Sequence, residues 1–235
     1  DYIAVVPVEN SIEGVVRETV DNIIRTTNPV TVFQEIVLPI KHCLITKADS
    51  FSKIKTVTSH PQGLAQCQNF IYNTLRDKGN RHIELVQATS TSEAVRSLVD
   101  SDESCAAISS KYAAELYNIP VLQEEINDEK DNKTRFICIG YQKTEKTGND
   151  RTSIAFEVEN KAGSLVDVLM IFKKQEINLS YIDSRPSKKS LGAYTFFVDF
   201  DGHVDDDAVI EAISQLKPMV SFYRLIGSYP KYRET

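Results

Sequence analysis

The sequence predicts two α/β domains, a longer one with a largely parallel or mixed sheet and a shorter βαββαβ domain. Strand and helix patterns alternate through residues 1–142, which is typical of domains with a parallel or mixed sheet. Residues 143–151 are polar and contain glycine, as expected of a linker. From residue 152 to 230 the order changes to strand, helix, two strands, helix and strand.

Hydrophobic periodicity places the elements of the longer domain. Residues 3–8 are almost continuously apolar, which is typical of a strand buried on both faces. Asn10 followed by Glu13 has the spacing of a helix cap, and apolar residues then recur at helical spacing from Ile12 to Ile23. Pro61 is suited to the first position of a helix that ends at Gly79. The other predicted elements are strands at 30–36, 38–46, 54–58, 83–88 and 105–108, and helices at 92–98 and 111–117.

The shorter domain has the order of a ferredoxin-like unit. Its predicted strands are 153–158, 178–184, 193–200 and 221–228. Its predicted helices are 164–174 and 205–216, with a turn at 187–192.

Composition limits the classes of function. The chain has 235 residues, of which 41% are apolar and 26% charged, as in ordinary globular proteins. The net charge is −6 with both signs interspersed, which argues against a nucleic-acid partner because nucleic acids bind basic surfaces. No apolar run reaches the ~20 residues that cross a bilayer, so no membrane association is expected.

The cysteines and the first residues of the chain lead to two further predictions. Cys43, Cys67, Cys105 and Cys138 are widely spaced within apolar patterns, so we expect buried free thiols, with a disulfide or zinc site as the alternative. Free thiols indicate a reducing compartment, hence the cytoplasm. The chain begins directly with a strand pattern, so we expect that a segment precedes it.

Five segments, in order, resemble a known enzyme family. Residues 6–14 (V-P-V-E-N-S-I-E-G), 59–62 (S-H-P-Q) and 132–136 (N-K-T-R-F) resemble prephenate dehydratase, whose T-R-F motif carries a catalytic threonine. Residues 163–166 (G-S-L-V) and 183–186 (D-S-R-P) resemble the G-A-L-V and E-S-R-P motifs of the phenylalanine-binding ACT domain fused to that enzyme.

The resemblance implies a fold and a reaction. Residues 1–142 would form a dehydratase domain of two α/β lobes with a cleft between them, like a type II periplasmic binding protein, although the family's first strand–helix segment has no counterpart here. Residues 152–230 would form the ACT domain. Prephenate would lose carbon dioxide and water to give phenylpyruvate, a carbon–oxygen lyase reaction of L-phenylalanine biosynthesis. No metal, flavin or nicotinamide cofactor would be required.

The resemblance also implies a site around Thr134, which would donate a hydrogen bond to the departing hydroxyl. By itself, a threonine at the start of a strand is more often structural. Arg135 is a candidate for binding a substrate carboxylate, although strand alternation should direct it away from Thr134. His60 is expected to have a local structural role. The substrate-binding residues would be Glu9, Asn10, Ser11, Ser59, Gln62, Gln66, Ser90, Thr91, Arg135 and Phe136.

The ACT domain is expected to bind L-phenylalanine between two copies, in a homodimer or homotetramer. Ser164 and Asp183 stand where the family motifs have alanine and glutamate. The effector-binding residues would be Ala162, Gly163, Ser164, Leu165, Val166, Asn178, Asp183, Ser184 and Arg185.

Two alternatives stay open from the sequence. One is an arogenate dehydratase, in which Glu9 would contact the amino group of the substrate. The other is a catalytically silent protein that senses phenylalanine. Whether a chorismate mutase domain precedes Asp1 is also open.

Overall fold

A computed structural model describes residues 3–78, 82–187 and 194–233 of the chain. Contacts between residues divide the polypeptide into two compact units. The larger unit comprises Asp1–Leu38 and Thr134–Thr235, and the smaller unit comprises Pro39–Lys133. Each unit combines helices with one sheet, so the predicted α/β fold class is confirmed.

Strands and helices cover most of the described residues. The strands are β1 (Ala4–Asn10), β2 (Gly14–Val15), β3 (Thr31–Pro39), β4 (Cys43–Thr46), β5 (Thr56–Ser59), β6 (Glu84–Gln87), β7 (Cys105–Ser109), β8 (Val121–Gln123), β9 (Lys133–Gly140), β10 (Asp150–Glu157), β11 (Leu179–Pro186), β12 (Tyr194–Asp201) and β13 (Phe222–Pro230). The helices are α1 (Arg17–Arg25), α2 (Pro61–Ala65), α3 (Gln68–Phe70), α4 (Arg76–Lys78), α5 (Thr91–Ser97), α6 (Lys111–Tyr117), α7 (Ser164–Lys174) and α8 (Asp207–Leu216). Phe51–Lys53 and Lys217–Met219 form 3₁₀ turns, and Ile71–Leu75 forms a π-helical turn.

The smaller unit is built on a sheet with the strand order β6-β5-β7-β4-β8. β5 runs parallel to β6 and β7, and β4 runs antiparallel to β7. Leu44 and Ile45, which follow each other in β4, enter two different hydrophobic cores. The sheet is therefore buried on both faces, and the carboxyl ends of β5, β6 and β7 lie along one edge.

The larger unit contains a sheet with the order β11-β12-β10-β13-β3-β9-β1-β2. Helices α7 and α8 cover one face of its first four strands, around Phe156 and Phe172. A second core lies on the opposite face and includes Ile137 of β9, Phe197 of β12 and residues of α1. This second core joins the βαββαβ part of the chain to β1, β3 and β9.

β13 approaches β3 closely at one position. Gly227 lies opposite Val32 in parallel register. A Cβ atom on residue 227 would lie 2.1 Å from the carbonyl oxygen of Val32. Glycine permits this approach because it has no Cβ, and the two parts of the sheet join there.

The first helix begins later than the cap pattern predicts. Asn10 Oδ1 accepts hydrogen bonds from the backbone N–H groups of Ile12 (3.0 Å) and Glu13 (3.1 Å). The chain then turns at Gly14, with φ 81°, and returns as β2 beside β1. Asn10 therefore caps a turn rather than a helix, and α1 begins only at Arg17. The prediction of a helix from Asn10 is wrong.

Two other expectations also differ from the structure. Ile3 and Val5 are 54% and 55% exposed, so the strand predicted at residues 3–8 is not buried on both faces. The predicted linker ends early, since Asp150 and Arg151 belong to β10. The predicted helix end at Gly79 and residues 188–192 of the predicted turn lie outside the described residues.

We predict that Gly227→Ala destabilises the chain by roughly 3 kcal/mol, because the new methyl group would overlap a backbone carbonyl that cannot rotate away. Urea unfolding measures this loss. Gly140→Ala is the matched control in a strand, since its Cβ would be 3.1 Å from side-chain atoms of Gln142 and Phe33. If both variants lost the same free energy of unfolding, the close approach of Gly227 to Val32 would not be what requires glycine at position 227.

Candidate functional site

The predicted substrate-binding residues divide between the two units, and those of the larger unit lie on the β1–β9 pair or in the turn after β1. Asn10 and Thr134 are direct cross-strand partners. Asn10 Nδ2 donates to Thr134 Oγ1 over 2.9 Å. Both residues are buried, at 7% and 9% exposure. The turn after β1 holds Asn10 Oδ1, so the NH₂ group of Asn10 faces Thr134.

This arrangement orients the Thr134 hydroxyl. A hydroxyl group has one proton to donate and two lone pairs that accept. One lone pair of Thr134 accepts from Asn10, so the proton is left for a different acceptor. Thr134 is thus arranged as a hydrogen-bond donor.

Arg135 points to the opposite face of β9, as strand alternation predicts. Its Nε lies 3.2 Å from Glu9 Oε2, its Nη2 lies 2.7 Å from Asp199 Oδ2, and its Nη1 lies 3.5 Å from Glu35 Oε2. Burial lowers the pKa of Arg135, but the carboxylates, with Asp199 foremost, outweigh burial and raise it. The expectation that Arg135 binds a substrate carboxylate is corrected, because these three carboxylates occupy its guanidinium. Glu9, which is also predicted to bind substrate, is ion-paired with Arg135 through the same contact.

Arg135 belongs to an ion cluster, defined here as Glu9, Glu35, Arg135, Arg151 and Asp199, of which Glu9 and Arg151 are half-buried and the others buried. Arg151 Nη1 donates to Glu35 Oε2 over 2.6 Å. Asp199 is fully buried, and its Oδ1 accepts from Ser153 Oγ over 2.6 Å. Buried charges persist when they are paired and hydrogen-bonded. The sequence signal that was missed is a carboxylate between apolar residues in the interior of each of two strands, at Glu35 and Asp199.

Ser11 and Phe136 complete the set in the larger unit. Ser11 is exposed in the turn after β1. Phe136 is half-buried and lies opposite Pro7 in the β1–β9 pair. Strand alternation places Phe136 on the same face as Thr134.

In the smaller unit, the predicted residues lie at the edge formed by the carboxyl ends of β5, β6 and β7. Gln62 is exposed in the first turn of α2. Ser59 differs from expectation, because it is fully buried and its Oγ donates to the carbonyl of Ile108 over 2.7 Å. Ser59 is therefore corrected from a substrate contact to a packing residue.

The starts of two helices adjoin at this edge. Ser90 Oγ accepts from the N–H of Glu93 over 3.0 Å and caps α5. A Cβ on Gly63 of α2 would lie 3.3 Å from the methyl carbon of Thr91, so the two helix starts are close. His60 Nδ1 accepts from the N–H of Gln62, which confirms its expected structural role.

Gln66 lies in a hydrogen-bonded group that the sequence did not indicate. Its Oε1 lies 3.0 Å from His42 Nε2 and accepts from Asn132 Nδ2 over 3.1 Å. Because Gln66 presents its carbonyl oxygen, His42 Nε2 must donate. Burial lowers the pKa of His42, and the hydrogen bond to Gln66 opposes this effect. The partners are 24 and 66 residues apart in sequence, and so no local pattern could reveal them.

The predicted effector residues gather around the start of α7. Gly163 precedes the helix with φ 90°, in the left-handed region that favours glycine. Ser164 and Leu165 line a cavity of about 160 Å³ together with Tyr194 and Phe196. Ser164 Oγ is buried without a hydrogen-bond partner among the described residues. Ala162 and Val166 beside the cavity are exposed.

The effector residues of β11 alternate between two faces of the sheet. Ser184 pairs with Phe196, which packs on the α7 side. Arg185 lies on the other face, where its Nε donates to Asp21 of α1 over 2.9 Å. Asp183 shares that face by alternation. Asn178, just before β11, donates to Asp201 over 3.2 Å.

The described residues contain no metal-binding cluster, no membrane-spanning helix and no disulfide. No group of three or more His, Cys, Asp or Glu side chains is placed to hold a metal ion. No helix in the described part of the chain is long and apolar enough to span a membrane. Cys43, Cys67, Cys105 and Cys138 are free thiols, and all except the half-buried Cys105 are buried.

The fold and the two groups of polar residues define an α/β protein that ends in a βαββαβ domain. The sequence profile of the ACT domain matches residues 152–218, and that of prephenate dehydratase matches residues 2–144. The chain belongs to the prephenate dehydratase family, as the sequence motifs predict.

Relatives support this assignment. A prephenate dehydratase of Methanocaldococcus jannaschii is 42% identical, over 98% of this chain and 82% of its own length. A bifunctional chorismate mutase/prephenate dehydratase of Aquifex aeolicus is 39% identical, over 98% of this chain and 61% of its own length. The chain thus spans about three fifths of that relative. The crystal structure of an Arthrobacter aurescens prephenate dehydratase in complex with L-Phe superimposes on this chain with a TM-score of 0.86. The two sequences are 33% identical, and the match covers 97% of this chain and 75% of that one.

We predict that in His42→Gln the free energy of unfolding falls less than in the unaltered chain when the pH is lowered from about 7 to 5. The folded pKa of His42 is below its ordinary value of 6.5, so below that pH the unfolded chain binds a proton that the folded chain does not. The free energy of unfolding therefore falls as the pH falls from about 7 to 5, and removing His42 makes this fall smaller. Urea unfolding at both pH values measures it, with the exposed His82→Gln as control. An unchanged pH profile in His42→Gln would contradict the burial of a neutral His42.

Proposed function

We propose that this chain is a prephenate dehydratase, a carbon–oxygen lyase that converts prephenate to phenylpyruvate in L-phenylalanine biosynthesis. The observation that carries the proposal is the buried Asn10–Thr134 hydrogen bond, which leaves the Thr134 proton for another acceptor. Membership of the prephenate dehydratase family supports the assignment. We also propose that the ACT domain binds L-phenylalanine as a feedback effector.

The reaction needs little from the protein. The electrons of the bond to the ring carboxylate complete the aromatic ring as carbon dioxide leaves, and the ring C–O bond breaks. Negative charge develops on the departing hydroxyl, a preorganised donor such as Thr134 stabilises it, and a proton from solvent completes the water that leaves. The reaction is redox-neutral, so no electron-accepting cofactor takes part in this proposal.

Uncharged groups are the proposed substrate contacts in addition to Thr134. Amide and hydroxyl groups can bind the substrate carboxylates, and helix starts favour anions. The smaller unit offers two helix starts at one sheet edge, and His42 and Asn132 hold the Gln66 carboxamide of that unit in place. The proposed contacts are Asn10, Ser11, Gln62, Gln66, Ser90, Thr91 and Phe136.

The ion pair between Glu9 and Arg135 favours prephenate over arogenate as the substrate. Arogenate carries an amino group, for which Glu9 is the acidic candidate beside Asn10. Glu9 Oε2 accepts from Arg135 Nε over 3.2 Å, so its charge is already paired.

The regulatory part of the proposal concerns the surface beside the Gly163 turn. β11 is an edge strand of its sheet, and such edges are ready to pair with another chain. Ile182 of β11 and Val166 and Met170 of α7 are exposed apolar residues, at 45%, 59% and 41%. These features support a homodimer or homotetramer with L-phenylalanine bound between ACT domains.

The domain limits and the compartment are part of the same proposal. We assign residues 1–142 to the dehydratase domain and 152–230 to the ACT domain, and the segment between them ends with the first two residues of β10. The free thiols support the reducing cytoplasm. Burial raises the pKa of Cys67 to about 12, so this thiol stays protonated.

We predict that Thr134→Ala lowers kcat for prephenate by about 100-fold or more, because the developing charge loses its donor. Turnover is followed as phenylpyruvate absorbance in alkali. Thr134→Ser, which keeps the hydroxyl, should retain most of the activity. No turnover by the unaltered chain would favour the silent phenylalanine sensor, and turnover of arogenate alone would favour the arogenate dehydratase.

We predict that Asn10→Asp lowers kcat by about 10- to 100-fold while the turn is kept. Aspartate preserves the acceptor for Ile12 and Glu13 but replaces the donor to Thr134 with a second acceptor. The Thr134 hydroxyl would then donate its proton to the introduced carboxylate instead of the substrate. Asn22→Asp, at an exposed site of α1, is the control. Equal kcat values for the two variants would show that Asn10 does not orient Thr134.

A further inference from the structure

We propose that Arg135 is a positioning residue: Asp199 of the ACT domain holds its guanidinium, and this ion pair couples L-phenylalanine binding to the placement of Thr134. The inference rests on the proposed function and assigns a physical link for its regulation. It makes Arg135 and Asp199 parts of the enzyme that need not touch substrate or effector.

The ion pair is rigid at the Asp199 end. Arg135 Nη2 donates to Asp199 Oδ2 over 2.7 Å, and Ser153 Oγ donates to the other oxygen over 2.6 Å. The side chain of Asp199 is 0% exposed and that of Arg135 is 9% exposed. Ser153 also contacts the hydroxyl of the buried Tyr229 over 2.8 Å. Strands of the ACT domain therefore fix the direction in which Asp199 presents its charge.

The contact depends on a bend in the sheet. β10, β13 and β3 separate β12 from β9 in the strand order. Neighbouring strands are spaced by about 4.8 Å, so a flat sheet would hold β12 and β9 roughly 19 Å apart. The direct contact between Asp199 and Arg135 shows that the two parts of the sheet face each other, with Ile137 and Phe197 in the core between them.

The ion pair acts on Thr134 through one peptide bond. Glu9 and Arg135 are cross-strand partners in β1 and β9, and Asn10 and Thr134 are the next pair. The first pair is ion-paired on one face, and the second is hydrogen-bonded on the other. A displacement of Arg135 by Asp199 would move the backbone of Thr134 and change its alignment with Asn10.

The effector segment lies next to Asp199. Tyr181 of β11 is the cross-strand partner of Asp199, and Asp183 is the partner of Phe197. The Tyr181 and Phe197 rings pack edge-on with centroids 6.1 Å apart. Effector binding that favours one arrangement of β11 would therefore bias the position of Asp199, as coupling between sites requires.

The test uses the full chain and two variants of the ion pair. Asp199→Asn removes the charge but keeps the shape, and Arg135→Lys keeps the charge but loses the planar fork. The matched control is Thr152→Val in β10, a fully buried hydroxyl that donates to Gly202 outside the cluster. The readouts are kcat and KM for prephenate and the L-phenylalanine concentration that halves the rate.

Both ion-pair variants should lower kcat by about 10-fold or more with a smaller change in KM. Both should raise the half-inhibiting L-phenylalanine concentration by about 5-fold or more, and the double variant should resemble the single ones. The control should stay near the unaltered chain in both readouts. Turnover by the unaltered chain tests the proposed function separately. If that chain is active and Asp199→Asn keeps its kcat and its inhibition, the positioning role is wrong and the proposed function stands.

A measurement on the unaltered chain keeps the inference testable if a variant fails to fold. Amide hydrogen exchange of residues 134–140 is compared with and without L-phenylalanine at a concentration shown by calorimetry to saturate the chain. A change of protection in these residues is expected. Unchanged exchange there would overturn the proposed link.

Discussion

Burial of the Arg135 guanidinium requires carboxylates from three different strands, and this requirement organises the larger unit. Glu9 comes from β1, Glu35 from β3 and Asp199 from β12. A buried charge that loses its partner costs about 3–5 kcal/mol, so these strands must meet at Arg135 in the folded chain. The close approach at Gly227 allows β13 and β3 to join, and the sheet can then bring Asp199 to Arg135.

Strand alternation places Thr134 and Arg135 on opposite faces of β9, where they have different partners. Thr134 faces Asn10 on one side of β9, whereas Arg135 faces the ion cluster on the other. Because successive side chains of a strand point to opposite faces, one short motif can serve chemistry and packing at once. This explains why a positive charge beside the catalytic candidate does not indicate a substrate contact.

Much of the fold could be predicted from local sequence. The helices at 111–117 and 164–174 have the predicted bounds, since capping by Ser110 and the glycine before α7 are local signals. The pattern at Asn10 predicts a helix wrongly because a helix cap and a tight turn use the same side-chain hydrogen bonds. The family motifs identified the segments that carry Asn10 and Thr134. Their pairing across β1 and β9, 124 residues apart, is a tertiary contact.

The errors at the candidate site have the same origin. Arg135 and Asp199 are 64 residues apart, and His42 and Gln66 are 24 residues apart. Periodicity reports whether a residue faces the core but not which residue it meets there. Ser59 illustrates this limit, because its partner is the carbonyl of Ile108 on the neighbouring strand.

The most direct test of the account is reciprocal binding in the Thr134→Ala chain, where turnover is slowed enough that little substrate is consumed during a titration. Calorimetry would measure the affinity for L-phenylalanine with and without prephenate. The account predicts that prephenate weakens L-phenylalanine binding by about 5-fold or more, as linkage requires of coupled sites. It also predicts that adding Asp199→Asn removes most of this effect. An affinity for L-phenylalanine that is independent of prephenate would contradict the coupling.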